Sequence, residues 1–117
     1  MTVKECYMAL EGDYESVISR LMTEKLVQKF IIKFLADPSF ENLTNAMKSK
    51  NYDEAFREAH TLKGVCQNLS FTKLYSSSNS VTEALRNGEY VEAEKLMPQL
   101  EADYMQTIGA INALNTI

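Results

Sequence analysis

YDEAFREAHTLKGVCQNL, residues 52–69, is the stretch on which the reading of this chain turns. Wound at about 100° per residue, it brings Ala55, Ala59, Leu62, Cys66 and Leu69 within an arc of roughly 80°. Such a stripe is the buried face of a helix packed on a core. His60 falls about 140° from the middle of that arc, so it points toward solvent. Residues three and four apart share a helical face, which gathers Phe56, Arg57, Lys63, Gly64 and Gln67 around the imidazole.

That patch has chemical potential. A neutral imidazole is a nucleophile near neutral pH. Lys63, one turn on, sets an ammonium where it can pair with phosphoryl oxygens. Gly64 costs about 1 kcal/mol of helix stability relative to Ala, and clearance beside the imidazole is a reason to keep it. Phe56 offers an apolar contact to a partner, and Arg57 and Gln67 offer polar ones. Taken one at a time, these residues have ordinary explanations as well. An exposed histidine is usually a solvated one, a helical glycine can mark a close helix crossing, and Phe56 can lean on the core edge.

Helical periodicity continues outward from this segment. Upstream, 23–36 carries Leu26, Val27, Phe30, Ile31, Phe34 and Leu35 as a wide apolar stripe. Asp37 and Pro38 suit the start of a further helix running to about 49, with Phe40, Leu43, Ala46 and Met47 inward. Asn51 or Asp53 can cap the His60 helix. Downstream, 71–86 places Leu74, Ser78, Val81 and Leu85 on one face and stops at Asn87-Gly88. The serines at 76–78 and 80 imply either close helix approach or a weak helix. The last helix, 89–114, has Ala93, Met97, Leu100, Tyr104, Ile108 and Ile111 as its stripe, with Pro98 expected to kink or divide it. Residues 3–9 and 14–21 read as two short helices packed over one end. Short connections make consecutive helices antiparallel neighbours, so the expected architecture is all-α. It is an up-and-down antiparallel four-helix bundle (23–114) with N-terminal helical additions (1–22), in a single domain over 1–117.

Composition agrees. Gly (4) and Pro (2) are scarce, hydrophobic residues make up 45% and charged residues 24%, the balance of one globular domain. A net charge of -4 argues against nucleic acid, whose phosphates need a basic surplus. No apolar run is long enough to span a bilayer, and residues 1–15 lack the pattern of a secretory signal. A cytoplasmic protein, with no membrane partner, is expected. Cys6 and Cys66 lack metal-ligand spacing, and with one histidine no ordinary zinc site can form. No metal is expected, and both cysteines read as buried thiols.

Ala59-His60-Thr61-Leu62-Lys63-Gly64 resembles the signature of histidine-containing phosphotransfer (HPt) domains, in which an alanine, the phosphoaccepting histidine, a leucine, a lysine and a glycine recur. The similarity extends through Asn68-Leu69, where the family usually has Ala-Asn-Leu-Gly. It also takes in Phe34-Leu35-Ala36-Asp37, Asp53-Glu54-Ala55 and the turn at 85–88, about residues 23–111 in all. The resemblance implies that His60 is the phosphoacceptor, Lys63 steadies the phosphoryl group and Gly64 keeps access open. Three positions depart from the pattern: Val65 replaces a small residue, Ser70 the usual glycine, and Thr82 a Gln or Glu that bonds to the imidazole. Thr82, Glu83 or Asn79 is the candidate for that orienting role.

The function implied is a phosphorelay intermediate, taking a phosphoryl group from a receiver-domain aspartyl phosphate and passing it to another receiver aspartate. The partners implied are response-regulator receiver domains, with a hybrid sensor kinase as a further candidate. No cofactor is implied, because the Mg²⁺ of the transfer is expected on the receiver. The chain has no Gly-rich nucleotide loop, so it reads as a phosphotransfer carrier and not an ATP-dependent kinase. The alternative is a non-catalytic helical-bundle adaptor that binds response regulators. A sensor-kinase dimerisation domain fits less well, since that family follows its histidine with an acidic residue and, four further on, a proline, where this chain has Thr61 and Val65. A monomer is expected, and the Met1 start suggests a free-standing protein.

Overall fold

The computed structural model of the protein describes residues 1–115, which form α1 (Val3–Leu10), α2 (Tyr14–Leu21), α3 (Glu24–Phe34), α4 (Ser39–Lys48), α5 (Tyr52–Asn68), α6 (Thr72–Arg86) and α7 (Tyr90–Asn115). Among the described residues there is no strand, and the all-α expectation is met. Residues 116 and 117 of the expected domain lie outside the described residues. Five helices, not four, follow residue 23. α4 packs on α5, α5 on α6 and α6 on α7, while α3 makes its main contacts with α2 and fewer with α1 and α7. Among the described residues no helix is long and apolar enough to cross a membrane.

Caps define the helices. Thr2 and Glu5 form a reciprocal capping box on α1, and the side chains of Asp13, Thr23 and Asn51 accept from the N–H of the third residue of α2, α3 and α5 (Ser16, Leu26 and Glu54). At α4 Asp37 accepts from the Ser39 N–H at 2.9 Å while Pro38 occupies the N-cap itself. α3 ends at Phe34, two residues earlier than expected, because Leu35, Ala36 and Asp37 tighten onto carbonyls three residues back.

The N-terminal helices dock where α5 turns into α6. The Tyr7 hydroxyl, fully buried, donates to the Leu69 carbonyl at 2.7 Å, and the Asp13 N–H donates to the Ser70 carbonyl at 2.8 Å. Gly12 permits this approach, since a Cβ there would lie 2.8 Å from the Ser70 oxygen. Ser70 itself has φ 57°, the left-handed conformation that glycine adopts most cheaply. Its hydroxyl donates to Ser16 Oγ at 3.0 Å.

The core follows the expected pattern most closely in α5, its C-cap Leu69 and α6, where Ala55, Ala59, Leu62, Cys66, Leu69, Leu74, Ser78, Val81 and Leu85 are all buried. The buried Ser78 hydroxyl is satisfied by donating to the Tyr75 carbonyl at 3.0 Å. α3 departs from expectation: Val27, Ile31 and Phe34 are buried, but Leu26 and Phe30 are 40% and 38% exposed. Phe30 lines an open cleft of about 410 Å³ with Leu21, Val65 and Leu69. α7 also departs. It runs unbroken through Pro98, and its buried face is Ala93, Leu100, Asp103, Thr107, Ala110, Ile111 and Leu114, with Met97, Tyr104 and Ile108 only half-buried. Asp103 can be buried because its Oδ1 accepts from Gln99 at 2.9 Å and lies 4.0 Å from Lys73 Nζ.

Candidate functional site

α5 exposes His60 because the residues on its opposite side are drawn into the core: Ala55, Ala59, Leu62 and Cys66 are fully buried. The imidazole faces the Phe56 ring at 5.9 Å between centroids, inclined by 22°. Among the described residues it makes no hydrogen bond. Phe56 is half-buried against the core edge, so only part of its ring is open to a partner. Its other neighbour is Arg86 of α6, whose guanidinium carbon stands 5.0 Å from the ring centroid.

Lys63 sits one turn beyond His60 with its side chain 18% exposed. Its ammonium lies 3.7 Å from Glu83 Oε1 of α6. The second oxygen of the same carboxylate accepts from Arg86 Nε at 3.1 Å. One carboxylate thus joins two cations, and Arg86 in turn covers Phe56, which faces His60. Gly64 completes the site by what it lacks: a Cβ built there meets nothing within 4 Å. No helix crossing therefore requires this glycine.

Arg57 is exposed and held by Glu54 at 2.6 Å, one turn before it. Gln67 is exposed on α5, and its backbone carbonyl accepts from Arg20 at 3.0 Å. The structure thus brings Phe56, Lys63 and Gly64 to the imidazole, with Arg57 and Gln67 farther along the same helix. The expected orienting contact is absent. Thr82 is fully buried and donates to the Ser78 carbonyl of its own helix at 2.7 Å, so its hydroxyl is turned to the core and committed there. Glu83 is occupied by Lys63 and Arg86, and Asn79, half-buried, makes no hydrogen bond to the ring. Arg86 was not anticipated as a site residue; its place three residues after Glu83, on a shared helical face, was the available signal.

Both cysteines are buried, and burial pushes the thiols up, to about 11 for Cys6 and about 12 for Cys66. Neither is a nucleophile near neutral pH. Among the described residues no group of three or more His, Cys, Asp or Glu side chains is placed to hold a metal ion.

A family model of the Hpt domain matches residues 26–110. The chain belongs to the Hpt domain family. Hpt domains serve histidine phosphotransfer in phosphorelays, and membership gives this chain that role. The matched range contains His60, the one histidine in the sequence, and runs from α3 into α7, leaving α1 and α2 outside it. No curated protein and no solved structure matches the chain.

Proposed function

We propose that this Hpt domain is a phosphorelay intermediate in which His60 takes a phosphoryl group from a receiver-domain aspartyl phosphate and returns it to the aspartate of another receiver. The observation that carries the reading is that the only histidine of a histidine-phosphotransfer domain is exposed on α5, with an ammonium one turn away and open space over Gly64. In the forward step the lone pair of one imidazole nitrogen attacks phosphorus in line. The N–P bond forms as the P–O bond to the aspartyl carbonyl breaks, and the aspartate leaves as a carboxylate with that electron pair. The phosphorylated ring carries the positive charge until its remaining N–H is lost. Positioning and charge are the protein's contributions to such a transfer. Lys63 pairs with the phosphoryl oxygens, Gly64 leaves room for the incoming aspartate loop, and Phe56, Arg57 and Gln67 meet the receiver. The Mg²⁺ of the reaction belongs to the receiver.

The same reading places an up-and-down antiparallel four-helix scaffold among the five helices that follow residue 23, within a single domain, acting as a cytoplasmic monomer. Its test is to mix the protein with a phosphorylated receiver and follow acid-labile phosphate. Wild type is expected to take up label and His60→Gln none; label retained in His60→Gln, or no uptake from any receiver of the host, refutes it.

One observation favours the alternative of a non-catalytic adaptor for response regulators: among the described residues the imidazole has no hydrogen-bonding partner to fix its tautomer. An adaptor binds receivers equally well with Ala at position 60 and takes up no phosphoryl group.

A further inference from the structure

The contacts around Lys63 point to a role for Glu83 that differs from orienting the imidazole. Its carboxylate spans two helices, with Oε1 3.7 Å from the Lys63 ammonium on α5 and Oε2 3.1 Å from Arg86 Nε on its own helix. The two ends of this bridge differ in environment. Lys63 is 18% exposed while Glu83 is 44% exposed, so the ammonium is the more desolvated partner of the pair. Arg86 restrains Glu83 from the other side and is itself held over Phe56. A phosphoryl group on His60 brings up to two negative charges to the neighbourhood of an ammonium that already has a counter-ion.

We propose that Glu83 is the resident counter-ion of Lys63, displaced when His60 is phosphorylated, and that it thereby sets how tightly the site holds the phosphoryl group. With His60 unmodified, the carboxylate neutralises Lys63 and keeps it at the edge of the site. When the N–P bond forms, Lys63 transfers its contact from Glu83 to the phosphoryl oxygens, and Glu83 remains with Arg86. The exchange of one anion for another makes phosphorylation less favourable than it would be beside an unpaired ammonium, which suits a carrier that must give the group away. This proposal rests on the reading of His60 as phosphoacceptor.

The test uses the full chain at a fixed ratio of phosphoramidate to ammonium ion, with phosphohistidine measured by ³¹P NMR. The ratio of phosphorylated to free protein is expected to rise about two- to fivefold in Glu83→Gln, the range of a partly exposed ion pair. The rise is expected to disappear when Glu83→Gln is made in a Lys63→Ala background, as a double-mutant cycle requires of residues that act through each other. Glu83 is substantially exposed, so both variants should fold, and the far-UV circular dichroism of each is checked first. An unchanged or lowered ratio in Glu83→Gln overturns the proposal. So does a rise that persists without Lys63, which assigns the effect to repulsion across space. Failure of the wild type to form phosphohistidine sinks the phosphoacceptor reading instead, and a phosphorylated wild type with an indifferent Glu83→Gln sinks this proposal alone.

Discussion

Replacing Gly64 with Ala separates what the fold needs at this position from what the reaction needs. Gly64 lies inside α5, four residues before its end at Asn68, and is not among the residues with positive φ. A Cβ there meets nothing within 4 Å, so Ala adds no clash. Glycine in a helix interior costs roughly 0.5–1 kcal/mol relative to Ala, chiefly through the freedom it has when unfolded. Gly64→Ala is therefore expected to stabilise the protein by about 0.5–1 kcal/mol, which for a chain of this length raises the melting temperature by roughly 2–4 °C. Phosphotransfer from a receiver should fall in the same variant, and Gly64→Gln, whose side chain rises beside the imidazole, should slow it about tenfold or more, since small misplacements of reacting groups are costly. Gly109 of α7 supplies the control: it too is helical with open space at its Cβ, and Gly109→Ala should stabilise similarly without touching transfer. Urea unfolding and timed phosphoryl transfer measure the two effects. Loss of stability in Gly64→Ala would show that the backbone there needs glycine for its own sake. Unchanged transfer in Gly64→Gln would remove clearance as the reason for it.

Two further outcomes concern the scaffold. Tyr7→Phe leaves the buried Leu69 carbonyl without its 2.7 Å donor and should cost about 1–3 kcal/mol in urea unfolding; a change under 0.5 kcal/mol would mean that water replaces the hydroxyl. The raised thiols make stability fall at alkaline pH. With folded values of about 11 for Cys6 and about 12 for Cys66 against 9.0 unfolded, the unfolded chain loses its thiol protons first as pH rises. It then binds fewer protons than the native state, and unfolding becomes easier. Each cysteine adds a slope of about 1.4 kcal/mol per pH unit above pH 9, fading near its folded value, and Cys6→Ser/Cys66→Ser should flatten the decline in urea midpoints between pH 8.5 and 10.5. An identical decline in that variant would assign the effect to other groups.

The helix that carries the site was readable from residue order because its chemistry is local. The arc of Ala55, Ala59, Leu62, Cys66 and Leu69 buries one side of α5, and helical geometry then leaves no choice but to expose His60 with Lys63 and Gly64 nearby. Caps were equally local, from Asp37 at α4 to Asn51 at α5, whereas Pro98 lies inside an unbroken α7. Apolar periodicity was a poorer guide wherever burial depends on which neighbour arrives. α3 offers six apolar residues but buries three, and Phe30 lines an open cleft instead of the core. α7 buries Asp103 and Thr107 in preference to Met97 and Ile108, which becomes affordable only once Gln99 satisfies the carboxylate and the Thr107 hydroxyl reaches the Asp103 carbonyl.

Residue order alone thus determined an all-α chain, the exposed imidazole and its companions one turn away, since all of these follow from the 3.6-residue repeat of a single helix. Tertiary structure decided what stands across from them. Whether Thr82 or Glu83 faces the site depends on the rotation of α6 about its own axis against α5, and neighbours on that helix point about 100° apart. That rotation turned Thr82 into the core and brought Glu83 and Arg86 to Lys63 and Phe56.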